Sequence, residues 1–204
     1  LGLQPARVVP MPAILGRLAG AVADMLGILG WRSPLRSATL AAVARGVTGD
    51  AAAWNRISGR PLQPLEATLA DMSANVQERW FGRLWLAKPV IFACLSLFWL
   101  VSGVVGLIRQ EAAADILVSH GVSASLAHIL VLVGSAADIL VGAAVVVRSL
   151  ARHALLAMIA ITLSYLAGAT LLVPGLWLDP LGPLVKTIPA LCLVLVALAV
   201  LDER

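Results

Sequence analysis

The sequence predicts an all-α, polytopic membrane protein: a four-transmembrane-helix bundle preceded by amphipathic cytoplasmic helices. Three observations predict it. Hydrophobic side chains make up 60 % of the 204 residues and charged ones 13 %, with a mean hydropathy of +0.95, far from the balance of a water-soluble domain. Four apolar runs of helical length follow one another in the second half, separated by charges or by proline and glycine. The charge is also uneven: residues 1–88 hold ten of the fifteen Lys and Arg against five acids, and residues 89–204 five against six. The net charge of +4 is spread singly, without basic runs interleaved with aromatics, so the expected partner is a lipid bilayer and not nucleic acid. Cys94 and Cys192 each lie inside an apolar run without a CxxC or CxxH neighbour, which excludes a disulfide framework, a zinc knuckle and a dithiol relay.

The chain begins at Leu1 without a charged n-region and apolar h-region of a secretory signal, and is expected to be the later part of a longer protein. Residues 12–30 carry Ile14, Leu15, Leu18, Val22, Met25, Leu26 and Leu29 at helical spacing. Arg17 and Asp24 interrupt them, so a surface or groove helix is expected there rather than a span. A second helix follows Trp31-Arg32-Ser33-Pro34 over about 35–47. A third begins near Pro64 with Leu65, Leu69, Met72 and Val76 on one face. These stripes are too few to close a core of their own, which suggests a partner domain.

The first span is expected at 89–108, an uncharged run between Lys88 and Arg109. Its twenty residues rise about 30 Å, the thickness of a hydrocarbon core. After a short interfacial helix ended by Gly121, further spans are expected at about 126–147, 154–173 and 184–201. Arg79, Arg83, Lys88, Arg148, Arg152 and Arg204 then fall on the side of the N-terminus, against Arg109 and Lys186 opposite, which predicts an inner-membrane protein with both termini cytoplasmic.

Asp138 is the most informative residue, because an acid mid-span costs about 2.5–3.5 kcal/mol on insertion scales. Gly134, Ser135 and Gly142 share its face and let another helix come close. Tyr165 and Trp99 are placed at similar depth, so an Asp138, Tyr165 and Trp99 intramembrane site is expected. It serves either as interhelical glue or as a proton-handling group beside a quinone or small substrate. A second candidate lies in the outer loop, where Asp179 and Lys186 flank the Pro180-Leu181-Gly182-Pro183 corner and are placed to pair across it. His120, His128 and His153 are too dispersed for a metal site. No glycine-rich dinucleotide turn, Tyr-x-x-x-Lys pair or GxSxG elbow is present, so the catalytic residues are unknown and no cofactor is expected on this chain alone.

The runs Gln77-Glu78-Arg79-Trp80-Phe81, Leu84-Trp85-Leu86-Ala87-Lys88-Pro89, Asp138-Ile139-Leu140-Val141-Gly142 and Leu176-Trp177-Leu178-Asp179-Pro180-Leu181-Gly182-Pro183, with Lys186 and Pro189, resemble the DoxX-like four-helix membrane domain. They are most similar to the version fused behind an atypical, NmrA-like short-chain dehydrogenase domain. The resemblance implies a cytoplasmic cap at 1–78, the tail of a dehydrogenase-like region, and a membrane bundle at 79–204. It implies an oxidoreductase whose NAD(P) is held by a missing N-terminal domain in cis, or by a redox protein in trans, with quinone as a further partner. A non-enzymatic anchor or assembly subunit is the alternative, and a small transporter a weaker third.

Overall fold

The computed structural model describes residues 12–46, 49–72, 75–180 and 182–201, with the backbone alone at Leu86. Among the described residues every regular element is helical and none is a strand. The chain divides into two compact units, Leu1–Arg83 and Leu84–Arg204.

In the first unit, α1 (Ala13–Ile28) and α2 (Ser37–Arg45) form a helical hairpin. Gly30, at φ +90°, stops α1: its N–H bonds the carbonyl of Gly27 while the Trp31 N–H reaches Leu26, satisfying carbonyls that the helix end leaves open. The short helix α3 (Ala51–Ser58) has no counterpart among the expected elements. Asp50 caps it by accepting from the Ala52 N–H at 2.9 Å, and Gly59 closes it in the left-handed region. The helix expected from Pro64 through Val76 is divided. α4 (Leu65–Asp71) ends where Met72 turns extended, and Val76 opens the next helix instead of extending the stripe of Leu65 and Leu69.

That next helix, α5 (Val76–Ile108), has thirty-three residues, and the apolar segment expected from residue 89 is its later part. Pro89 sits inside it. α6 (Gln110–Ser119) is the short connecting helix, closed by Gly121 at φ +90°. α7 (Ala124–Ala144) stops before the expected Val147. Val145, Val146 and Val147 are three β-branched residues in a row, and the last two N–H groups tighten onto carbonyls three residues back. α8 (Ala151–Leu172) is ended by Pro174, which opens a single 3₁₀ turn (Pro174–Trp177), and α9 (Pro183–Ala199) starts with Pro183 after the left-handed Gly182.

α5, α7 and α8 are long and apolar enough to cross a membrane, and α9 is a shorter apolar helix of seventeen residues, at the lower bound for a span. The protein is therefore an all-helical, multi-pass membrane protein. Leu95, Leu155, Met158 and Val194 are fully buried in the second unit, whereas Leu97, Val104, Val133, Leu140 and Leu171 face outward, as lipid-facing side chains do.

Candidate functional site

Small residues bring the backbones of α5 and α7 together. A Cβ added at Gly103 would lie 2.5 Å from the Ser135 carbonyl oxygen, and one at Gly142 would lie 2.9 Å from the Leu100 nitrogen. Ser96 donates to the Gly142 carbonyl at 2.8 Å, a polar tie across the same seam. Gly134, on the flank of α7, leaves room for the hydroxyl of Tyr165 from α8, which would sit 2.9 Å from a Cβ there. The face of Gly134, Ser135, Asp138 and Gly142 is thus where two neighbours approach, as small-residue seams between membrane helices generally are.

In that seam Asp138 is 5 % exposed and accepts two hydrogen bonds. Ser102 of α5 donates to Oδ2 and Tyr165 of α8 donates to Oδ1, each at 2.9 Å. One carboxyl group therefore ties three helices, and among the described residues no buried side-chain nitrogen or oxygen lacks a partner. Ser102 and Tyr165 are themselves exposed, Tyr165 at 42 %, so the cluster opens on the outer face of the bundle while the carboxyl stays covered.

Of the three residues expected here, the structure joins Asp138 and Tyr165 and places Trp99 elsewhere. The Trp99 ring stands edge-on to Phe98, with centroids 6.2 Å apart, and its Cβ faces Gly142, one turn from Asp138 along α7. Ser102 fills the place given to Trp99. Its signal in the sequence was adjacency to Gly103, the residue of closest approach.

The outer-loop candidates are not joined. Among the described residues no ion pair links Asp179 to Lys186; Asp179 has an engagement of its own, and its carbonyl accepts from the Gly182 N–H at 2.8 Å. Leu181 lies outside the described residues. The loop is instead fixed by Trp177, whose Nε1 donates to Thr170 Oγ1 at 3.0 Å.

A further cluster was counted in the sequence only as topology signals. The Lys88 ammonium, buried, and the Arg148 guanidinium both donate to the Leu201 carbonyl, at 3.2 and 2.9 Å. Cations at the carbonyl end of α9 complement its dipole and draw together α5, the α7–α8 turn and the end of α9.

The arrangement of apolar helices around a sealed acid can now be compared with known proteins. Residues 96–195 match the model of the DoxX-like family. The matched stretch takes in Ser102, Asp138 and Tyr165 as well as Asp179 and Lys186, and leaves α1–α4 outside. No curated protein and no solved structure matches the chain.

Proposed function

We propose that the chain is the membrane module of a dehydrogenase-like oxidoreductase. It anchors a cytoplasmic NAD(P)-binding redox domain at the inner membrane, in cis or in trans, and presents a quinone at the outer face of the bundle. The observation that carries this reading is the Ser102–Asp138–Tyr165 cluster, a polar site at span depth whose edge residues open toward lipid while its carboxyl is covered. Polar groups at that depth are costly and mark functional sites more often than surface ones do. The residues fit such a ligand. Tyr165 commits its proton to Asp138, which leaves the phenolic oxygen free to accept from a hydroxyl of a reduced quinone, and Ser102 offers a second oxygen beside it. A quinone bound there would supply the two-electron acceptor; the chain's own groups would orient its oxygen and exclude water. Exposed Trp54 and Ile57 of α3 and Leu65 and Leu69 of α4 offer apolar contacts to the redox domain.

The test is cofactor-dependent quinone reduction by the complete protein or complex. Tyr165→Phe is expected to raise the KM for quinone, since it deletes the oxygen that receives it. Asp138→Asn keeps a polar head for Tyr165 and Ser102 and is expected to leave both fold and turnover near normal. An Asn variant that folds and binds quinone but does not reduce it would assign Asp138 a proton-transfer role instead.

The anchor reading is favoured by one specific fact: both hydroxyl protons of the cluster, those of Ser102 and Tyr165, are already committed to the Asp138 carboxylate. Complete protein without any cofactor-dependent quinone reduction, in membranes where the redox partner is shown to be bound, would establish it.

A further inference from the structure

The α1–α2 hairpin is packed the reverse of an ordinary amphipathic pair. α1 turns its smallest residues to α2: Gly20 lies against Ser37 and Leu40, Gly27 against the Arg36 guanidinium, and Gly20 and Ala23 are the buried positions of the helix. At about 100° per residue, Ile14, Leu15, Leu18, Val22 and Met25 fall in one arc of roughly 100° on the other side. These five are between 50 % and 67 % exposed. These five large apolar side chains therefore lie on the side of α1 away from its seam with α2. The seam is held by close backbone approach and by Asp24, which binds the Ser37 hydroxyl and N–H and the Arg36 guanidinium.

We infer that this stripe is a docking surface for an anionic bilayer, on which the hairpin lies as an interfacial device. Two facts select this occupant. Beyond the Arg36–Asp24 ion pair, residues 12–46 hold Arg17, Arg32 and Arg45 and no further acid, so the hairpin as a whole is cationic. The hairpin is also tethered: about thirty residues separate Gly46 from Val76, where α5 begins its run into the membrane-spanning segment, and a chain of that length reaches at most ~100 Å. An apolar face on a cationic hairpin, held near a bilayer, partitions into the headgroup boundary, and each arginine at an anionic surface strengthens that partition roughly five-fold.

The experiment uses the full chain, with Cys94 and Cys192 replaced by Ala, reconstituted at high lipid-to-protein ratio in phosphatidylcholine vesicles with and without phosphatidylglycerol. Spin labels are placed singly at Leu18→Cys, Val22→Cys and, as a water-facing control, Thr39→Cys, and their collision rates with oxygen and with a water-soluble nickel chelate are compared. In the anionic vesicles the labels at 18 and 22 are expected to favour oxygen while the one at 39 favours the chelate. Arg17→Gln with Arg32→Gln is expected to weaken the inserted population some thirty-fold at fixed lipid. Chelate access at 18 and 22 equal to that at 39 in anionic vesicles would overturn the inference. So would protection from both relaxants, which would place a second copy on the stripe. Insertion unaffected by removing either the anionic lipid or the arginines would overturn the choice of an anionic surface.

Discussion

Replacing Asp138 by leucine should strengthen the insertion of α7 and weaken the bundle, and the two effects separate in measurement. On an insertion scale a mid-span acid costs about 2.5–3.5 kcal/mol and leucine is favourable, so the isolated helix gains. In the folded bundle the change removes the acceptor of the Ser102 and Tyr165 hydrogen bonds, each 2.9 Å long. Hydrogen bonds between membrane helices average about 0.6 kcal/mol and reach about 1.7, so the pair is worth about 1–3 kcal/mol. Ser102 can recover part of this by bonding a carbonyl one turn back on its own helix. Leucine also branches toward Gly103, whose own added Cβ would lie 3.0 Å from the Asp138 Cβ, so overpacking adds about 1–3 kcal/mol.

The assay is reversible unfolding of the purified chain in mixed micelles, with a double-mutant cycle on Asp138→Leu and Tyr165→Phe. The expected outcome is a single-variant loss of about 2–5 kcal/mol and a coupling of about 0.6–1.7 kcal/mol between the two positions. A leucine variant as stable as the parent, or a coupling indistinguishable from zero, would refute the claim that this carboxyl ties α5, α7 and α8.

Three further outcomes follow from the same structure. Gly103→Ala is expected to cost more than 1 kcal/mol in the same unfolding assay, because its Cβ meets backbone oxygen, whereas Gly168→Ala, with nothing within 4 Å of its Cβ, should be neutral or gain about 0.5–1 kcal/mol. Asp24 is held below the ordinary carboxylate value of 3.8, chiefly by the Ser37 hydroxyl. Its contribution to the hairpin is thus fully present above that value and is lost as pH falls through the lowered one; spin-label distances between α1 and α2 should broaden there in the parent, and Asp24→Asn should abolish the pH dependence. On the proposed orientation, a cysteine at Ser119 should be labelled from the periplasmic side and one at Ser149 should not; the opposite pattern would reverse the topology and detach the proposed redox domain from its compartment.

What the sequence showed of this fold was composition and spacing: the spans, the stop at Gly121, the prolines that bound α8 and α9, and the small face around Asp138. α3 was legible too, from Asp50 and Gly59, but a helix this short carries no periodicity to draw attention to it. Register was another matter. Matching residues by depth takes the middle of each apolar run as a common level, which puts Trp99 beside Asp138. The level is set instead by the close approaches of Gly103 to Ser135 and of Gly142 to Leu100, and the polar tie from Ser96 to the Gly142 carbonyl keeps the same register. On antiparallel helices these contacts place Trp99 opposite Gly142 and Ser102 opposite Asp138, about one helical turn from the level that run midpoints imply. Midpoints mislead because the length of an apolar run carries no information about where two backbones come closest. Glycines at which an added Cβ would strike backbone fix how two membrane helices slide against each other, and the partner of a buried acid is to be sought beside them.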